Sequence, residues 1–299
     1  MRYLFPVAVL VSVLSAPLAT YAADPPTTKI IMLGTGTPRP NPDRSGPATA
    51  IVVKDRAYLI DFGPGVVRRA AAAAAKGYQA VDPARIRVAF LTHLHSDHTA
   101  GYPDLMLTPW IFGRTELDVY GPAGTEEMTE HIRAAYRQDI EIRTNGMEHR
   151  QPLIVRAHDV KPGVVYKDEL VTVKAFVVAH GEWPQAFGYR FETPDRTIVI
   201  SGDTSPSAEV VANCQRCDVL IHEVQSPTYN VKTIPDWPAY RARYHTTSDQ
   251  LADIANKTRP GLLVLYHNGS DEAGLQEILR QIQRTYRGKV AISHDLDVF

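Results

Sequence analysis

Short apolar runs recur along the chain, and turn-forming Gly, Pro and Asp residues separate many of them. Runs of this length that are rich in β-branched residues are typical of buried strands. Two pairs of runs are close enough in sequence to form hairpins, one turning at Asp55-Arg56 and one across residues 193–196. The pattern predicts strands over residues 29–33, 50–53, 57–61, 87–91, 117–120, 170–178, 187–192, 197–201, 219–221, 262–266 and 290–292.

Helical segments lie between these strands. Residues 65–76 include a run of consecutive alanines, and alanine has the highest helix propensity, so we predict a helix that ends at Gly77. A second helix is predicted over residues 125–139. Because no repeat and no Ser/Gly-rich linker interrupts the alternation, residues 24–299 are predicted to form one domain. The order of elements predicts the α/β class, with two mixed β-sheets and outer helices.

The first residues of the chain follow a different pattern. Arg2 precedes an almost wholly apolar stretch over residues 3–14, and small residues surround a cleavage point near Ala22. The stretch is short for a bilayer span, so residues 1–23 are predicted to be a secretory signal peptide, with an uncleaved anchor as the alternative. We therefore expect a periplasmic or secreted protein that is not stably inserted in a membrane after cleavage.

Charge and cysteine content narrow the classes of function. The formal net charge is −1, and Lys and Arg form no long run, so no nucleic-acid partner is favoured. The two cysteines, Cys214 and Cys217, are too few for a structural zinc site without further ligands close by. A local disulfide is one alternative for an exported protein, although its geometry would be tight. We favour two structural cysteines that end a helix before the strand at Val219.

The strongest chemical signal is an H-x-H-x-D-H motif directly after the predicted strand 87–91, formed by His93, His95, Asp97 and His98. Side chains alternate along a strand, so the first two histidines point the same way. The turn that follows brings Asp97 and His98 round to face a neighbouring position. Two imidazoles can therefore bind one metal ion, and a carboxylate with an imidazole a second. Such ligands suit zinc, and also iron or manganese.

Three further candidate ligands stand directly after apolar runs, namely His180, Asp203 and His267. Gly202 would let the backbone approach closely beside Asp203. Taken singly, a polar residue at a strand end is as well explained by a structural hydrogen bond. Together with the H-x-H-x-D-H motif, the three residues predict a centre that binds two divalent metal ions.

With these motifs in place, the chain resembles the metallo-β-lactamase superfamily, particularly its ribonuclease Z-like and arylsulfatase-like branch. The resemblance covers nearly the whole mature chain and implies an αββα sandwich. The motifs that carry it, in the family's order, are Gly34-Thr35-Gly36-Thr37-Pro38, Asp61-Phe62-Gly63-Pro64-Gly65, H-x-H-x-D-H, His180 with Gly188-Tyr189-Arg190, Ser201-Gly202-Asp203-Thr204, His222-Glu223, His245-Thr246-Thr247 and His267.

The resemblance also implies how the two ions, most simply Zn²⁺, would share their ligands. The implied ligands are His93, His95 and His180 for one ion, Asp97, His98 and His267 for the other, and Asp203 as a bridge. A carboxylate bridge suits two cations held ~3.5–4 Å apart, and water or hydroxide would be the second bridge. Asp61 would orient a ligand histidine, with a simple turn residue as the alternative.

Such a centre performs metal-assisted hydrolysis, in which the bridging hydroxide attacks an electrophilic centre. Asp97 would orient this nucleophile as well as bind metal. By the resemblance, His245 would donate a proton to the leaving group. The alternative for His245 is a structural place at a helix start, because Thr246-Thr247-Ser248 can cap a helix that begins near Asp249.

The resemblance leaves the substrate open. Ribonuclease Z enzymes carry a long basic arm, commonly between the third histidine ligand and the bridging aspartate, whereas residues 181–202 here predict a hairpin. With the expected export, the missing arm favours a small sulfate or phosphate ester as substrate. Cleavage at transfer RNA 3′ ends by a ribonuclease Z-type phosphodiesterase is the alternative.

Two further readings carry less support. A true β-lactamase is disfavoured because those enzymes generally lack an aspartate at the position of Asp203. A non-catalytic metal-binding module is disfavoured because no ligand of the set is lost and His245 is present. A homodimer is compatible with the family.

Overall fold

The computed structural model describes residue 1, residues 27–227 and residues 231–299. Apart from its first residue, the predicted signal peptide lies outside the described residues. None of the helices in the described part of the chain is both long enough and apolar enough to cross a membrane.

Six strands form the first sheet in the order in which they occur along the chain. They are β1 Lys29–Gly34, β2 Ala48–Val53, β3 Arg56–Ile60, β4 Val88–Phe90, β5 Glu116–Gly121 and β6 Ile154–Asp159. The first three strands pair antiparallel, and β3 to β6 pair parallel.

Seven strands form the second sheet, again in chain order. They are β7 Gly163–Lys167, β8 Thr172–Val178, β9 Ala186–Glu192, β10 Thr197–Ile200, β11 Val219–Glu223, β12 Leu262–Tyr266 and β13 Val290–Ile292. Pairing is antiparallel from β7 to β10 and parallel from β10 to β13.

Helices fill the connections between strands, together with a short 3-10 helix at Gln79–Val81. They are α1 Val66–Ala75, α2 Ser96–Thr99, α3 Tyr102–Ile111, α4 Thr125–Ala135, α5 Arg137–Asn145, α6 Ala208–Asn213, α7 Trp237–Tyr244, α8 Ser248–Thr258 and α9 Glu272–Thr285.

Three hydrophobic cores show that the layers are stacked helix, sheet, sheet, helix. On β1, Ile31 and Leu33 pack against α1 and α3, whereas Ile30 and Met32 point into the space between the two sheets. This alternation follows from the two-residue period of a strand. The third core lies between the second sheet and helices α6, α8 and α9. The predicted αββα sandwich is confirmed.

Several predicted boundaries were wrong. The helix expected over residues 125–139 is two helices, because the backbone leaves the helical conformation at Tyr136. The first hairpin turns at Lys54-Asp55 rather than Asp55-Arg56, since Lys54 takes the positive φ that the turn needs. Strands β6 and β7 and helix α3 were not predicted as elements; many residues of the two strands are partly exposed, so they lack a buried run.

The two cysteines are also placed differently from our preferred interpretation. Cys214 and Cys217 end α6 and precede β11 as expected, but they are joined in a disulfide. Arg216 adopts a positive φ of 55° between them, and this turn brings the two Cα atoms within 4.8 Å. Both sulfur-bearing residues are buried.

The topology brings the chemically interesting loops to one edge of the sandwich. Five strands have their carboxyl ends at this edge, namely β4, β8, β10, β11 and β12. Ligand sites in α/β folds lie preferentially outside the carboxyl ends of strands. The predicted ligands follow four of these strands, so distant parts of the sequence converge there.

Candidate metal centre

Seven side chains converge at this edge in two adjoining, largely buried clusters. One cluster contains His93, His95, His180 and Asp203, and the other contains Asp97, His98 and His267. The candidate ligand atoms of each cluster lie within 4.8 Å of one another. The structure therefore brings together every residue that the sequence predicted as a ligand.

In the first cluster, three imidazole nitrogens face a common point. Nε2 of His93 lies 2.9 Å from Nδ1 of His95, which lies 3.1 Å from Nε2 of His180. Nδ1 of His180 donates to the backbone carbonyl of Tyr244 at 2.8 Å, so its Nε2 turns a lone pair toward the cluster. Three imidazole nitrogens that converge on one point are the arrangement that a cation requires.

The hydroxyl of Thr92 orients the ring of His93. It lies 3.0 Å from both carboxylate oxygens of Asp61, to which it donates, and it accepts from Nδ1 of His93 at 3.0 Å. Nε2 of His93 is thereby left unprotonated and directed at the cluster. On the far side of the cluster, the indole nitrogen of Trp183 lies 2.9 Å from Nε2 of His95.

In the second cluster, the ring of His98 is surrounded by three carboxylates, those of Asp61, Asp97 and Asp203. Oδ2 of Asp97 lies 3.1 Å from Nε2 of His267, and Oδ1 of Asp203 lies 3.5 Å from Nε2 of His98. Nδ1 of His98 donates to Oδ2 of Asp61 at 2.8 Å. Asp61 is therefore placed where it can orient a ligand ring, as the sequence predicted.

Unpartnered atoms test whether the residues fit metal ions. Among the described residues, the buried atoms His98 Nε2 and Asp203 Oδ1 have no hydrogen-bond partner. A buried polar atom left without a partner costs ~1–3 kcal/mol, so such atoms need an explanation. Both point into the clusters, and the donor set of imidazoles and carboxylates suits divalent transition metals. The residues fit two divalent cations.

The electrostatics of the two clusters agree with this assignment. Burial lowers the pKa of His93 well below its ordinary value and that of His180 to about 3, which keeps both rings neutral as ligation requires. Burial works against a charge on His98 too, but the carboxylates of Asp203 and Asp61 outweigh it and raise its pKa. The second cluster is therefore a strongly negative environment, which attracts cations.

A buried pair, His245 and Glu223, lies next to the clusters; the sequence analysis gave a role to His245 but none to Glu223. Nδ1 of His245 lies 3.2 Å from Oε1 of Glu223, which also accepts from the backbone N–H groups of Thr204 and Thr246. Burial opposes a charge on His245, but Glu223 outweighs it and raises the pKa of the ring. The sequence offered a signal for Glu223, the His222-Glu223 motif of the family resemblance; in the structure Glu223 ends β11, at the same edge as the ligands.

Two roles were considered for His245, a proton donor and a structural residue at a helix start. In the structure its ring lines the cavity, and α8 begins three residues later. Thr247 caps α8 in a capping box with Gln250, so the cap does not need His245. His222, beside Glu223, is buried and belongs to neither cluster. Trp110, on α3, packs in the first hydrophobic core.

A cavity of about 520 Å³ opens above the clusters. Asp97, Asp203 and His245 line its floor, and side chains of α7 line one wall. A substrate in this cavity would reach both clusters and the Glu223–His245 pair together.

Comparison with known proteins identifies the family. The model of the beta-lactamase superfamily domain matches residues 56–268. The chain is 31% identical over 282 residues to a ribonuclease Z of Mycobacterium bovis (strain BCG / Pasteur 1173P2), covering 90% of this chain and 96% of the relative. The match therefore spans nearly the full length of both proteins.

Solved structures agree on the fold. The metallo-beta-lactamase fold protein YhfI from Bacillus subtilis aligns with a TM-score of 0.68 at 17% identity, covering 91% of this chain and 99% of that one. The short form of human tRNase Z aligns with a TM-score of 0.64 at 22% identity, covering 91% and 98%. Fold, family match and ligand clusters together show that this chain is a metal-dependent hydrolase and belongs to the metallo-β-lactamase superfamily, among its ribonuclease Z-like members.

Proposed function

We propose that the protein is a phosphodiesterase of the ribonuclease Z type that uses two zinc ions. The observation that carries the proposal is the Glu223–His245 pair beside two complete ligand clusters, since together they serve both sides of a scissile ester. The choice of a phosphodiester is supported by the ribonuclease Z relative, which is similar along 90% of the chain. The relatives favour this reading over the small sulfate or phosphate ester that the missing arm suggested.

His93, His95 and His180 would hold one ion and Asp97, His98 and His267 the other, and the carboxylate of Asp203 lies close to both groups. Bound divalent cations supply Lewis acidity and an activated water nucleophile. The neutral rings of His93 and His180 would bind without first losing a proton, because burial already lowers the pKa of each. Asp97 lines the cavity floor and contacts His267, so its carboxylate can both bind and orient water.

On the leaving-group side, Glu223 holds Nδ1 of His245 and leaves Nε2 for the cavity that this ring lines. The nearby carboxylate favours the protonated ring. When the P–O bond breaks, Nε2 can give its proton to the departing oxygen, while the attacking water bonds to phosphorus through its oxygen and releases its proton to solvent. Glu223 stabilises the charged ring before this transfer.

A small phosphodiester is the second candidate substrate, and one observation favours it. β9 and β10, which lie between His180 and Asp203, are joined by the tight turn at residues 193–196. No inserted arm is present at this point to bind a folded RNA. The predicted signal peptide would also place the enzyme away from cytoplasmic transfer RNA.

The test is hydrolysis of three substrates in parallel by zinc-loaded protein lacking residues 1–23: unprocessed transfer RNA, bis-p-nitrophenyl phosphate and p-nitrophenyl sulfate. We expect cleavage of the RNA at its 3′ end, and an Asp203→Ala control should abolish it. Turnover of the diester without RNA cleavage would identify a small phosphodiester as the substrate instead of transfer RNA. Turnover of the sulfate alone would overturn it.

A further inference from the structure

The last turn of α7 is hydrogen-bonded to the segment that carries the metal ligand His180. The carbonyls at the end of a helix have no partner within the helix and must find one elsewhere. The carbonyl of Arg243 accepts from the backbone N–H of Gly181 at 3.2 Å, and that of Tyr244 accepts from Nδ1 of His180 at 2.8 Å. The end of this helix therefore sets the direction of a ligand ring.

The side chain of Tyr244 is held in place by its neighbours. Its ring packs edge-on against the ring of His180, with centroids 5.1 Å apart, and stacks on the ring of Tyr240 at 4.1 Å. A Cβ on Gly181 would overlap Cζ and Cε1 of this ring. Gly181 also has a positive φ of 58°, which glycine adopts without steric cost. Residue 181 is thus shaped to let the ring of Tyr244 lie against the backbone beside a metal ligand.

The residue after Tyr244 is His245, the proposed proton donor. α7 ends at Tyr244, and the backbone is extended at His245, with φ −135° and ψ 163°. The carbonyl of Tyr244 and the N–H of His245 belong to one peptide unit, which is planar and moves as a rigid body. The rings of His180 and His245 lie with their centroids 5.5 Å apart. A shift of this one unit would therefore move both the acceptor for His180 and the backbone of the proton donor.

We propose that Tyr244 is a positioning residue that couples the first metal cluster to the proton donor. Its peptide unit directs the ring of His180 and places His245, and its ring, seated on Gly181, holds that unit still. This inference rests on the proposed phosphodiesterase function for the role of His245. It adds that a disturbance where Gly181 meets the ring of Tyr244 weakens metal binding and proton donation together.

Gly181→Ala tests the coupling, because its Cβ displaces the ring of Tyr244. We expect the affinity for one zinc ion to fall about tenfold, as for the loss of other groups that orient a ligand histidine, and the other ion to be nearly unchanged. Competition with a chelator measures both ions.

Two matched diesters measure the effect of Gly181→Ala on proton donation. Phenolate is a more basic leaving group than p-nitrophenolate and depends more on a proton donor. Turnover of diphenyl phosphate by the zinc-loaded variant should therefore fall about tenfold or more, and that of bis-p-nitrophenyl phosphate by less than about threefold. A loss of zinc affinity without this leaving-group difference overturns the coupling.

Gly77→Ala is the matched control for backbone strain. Gly77 also has a positive φ, 101°, but a Cβ there meets no atom within 4 Å, and the residue does not line the cavity. This variant should lower the midpoint of unfolding and leave zinc affinity and both turnover rates unchanged. Losses equal to those of Gly181→Ala would attribute the effect to strain and overturn the inference.

Tyr244→Leu supplies the rescue. Leucine keeps the carbonyl that His180 uses but lacks the ring atoms that a Cβ at residue 181 would overlap. In this background, Gly181→Ala should change the zinc affinity and the leaving-group difference by less than about threefold, because two residues that act through one contact are not additive. The full cost of Gly181→Ala in the Tyr244→Leu background overturns the inference.

Tyr244→Leu also decides the matter should Gly181→Ala fail to fold. Without the ring that packs on His180, the same zinc ion should bind less tightly, and unchanged affinity for both ions overturns the inference. Zinc competition needs no substrate, so the two proposals can fail separately. Lack of turnover of every diester would contradict the proposed function, whereas wild-type behaviour of Gly181→Ala on both diesters and both ions would contradict only the role of Tyr244.

Discussion

Two acidic side chains of this protein, Asp168 and Asp203, meet very different surroundings. Asp168, 11% exposed, accepts hydrogen bonds from Arg56, Tyr58, Tyr166 and two backbone N–H groups. Asp203 is buried among imidazoles, and its Oδ1 has no hydrogen-bond partner among the described residues.

Hydrogen bonding therefore separates the two roles. The protein itself satisfies Asp168, which is the pattern of a group that stabilises the fold. Oδ1 of Asp203 has no hydrogen-bond donor among the described residues, and a bound cation would fill that place, which is the pattern of a functional group kept at some cost to stability. Substitutions should separate activity from stability along the same line.

The largest effect is expected from Asp203→Ala. Because this carboxylate adjoins both clusters, its loss should remove metal from both and reduce kcat/KM by roughly a thousandfold. Metal content by mass spectrometry and diester turnover measure the change. The midpoint of unfolding of the metal-free variant should stay close to that of metal-free wild type, and a large drop would contradict the comparison.

Asp61→Asn should weaken one cluster more than the other. The amide oxygen can still accept from Thr92, but the amide N–H₂ would face the Nδ1–H of His98, so two donors would meet. Loss of such a partner lowers metal affinity by roughly 10–100-fold. Titration with a chelator should show one ion released early and the other nearly unchanged, and equal weakening of both would argue against separate clusters.

Glu223→Gln tests the leaving-group side. Removal of the carboxylate lowers the pKa of His245, because Glu223 raises it in the native protein. A proton donor acts below its pKa, so the alkaline limb of the kcat profile should move to lower pH, with kcat reduced by about tenfold or more. An unchanged limb would exclude His245 as the donor. Metal content should be unaffected.

Asp168→Asn should have the smallest effect on activity and a clear one on stability. Burial alone would raise the pKa of Asp168, but bonds from Tyr58 and from backbone N–H groups outweigh it and lower it to about 2. The resulting stabilisation, about 1–2 kcal/mol, is complete above the ordinary carboxyl pKa and is lost as pH falls from about 4 to about 2. Denaturant unfolding at pH 7 and pH 2.5 should show the difference between wild type and variant shrinking in acid. A loss of metal from Asp168→Asn would contradict the distinction between a stabilising Asp168 and a functional Asp203.

The residues that sequence alone could identify are those with strong local patterns. His93, His95, Asp97 and His98 form a compact motif, and the other ligands each end an apolar strand that brings them to a common edge. The fold class followed from the same apolar runs. Strands β6 and β7 could not be predicted in this way because they are partly exposed and lack such an apolar run.

Other features depend on tertiary contacts that no local pattern encodes. Glu223 is separated by 22 positions from its partner His245, so their pairing could not be read from spacing. The disulfide depends on the positive φ of Arg216, which is an unusual conformation for arginine. Trp237 and Tyr240 stand at helical spacing on α7, but only the structure shows that both line the cavity beside the metal centre.

The attachment of the chain's ends has a practical consequence for surface-bound assays. Thr27 and Thr28 are tied to Asp195 in the β9–β10 turn, and Phe299 pairs with Ile30 at the start of β1. These contacts lie at the sheet edge opposite the metal clusters. A tag or linker fused before residue 27 or after residue 299 would therefore tether the enzyme to a sensor chip or resin with its cavity facing the solution.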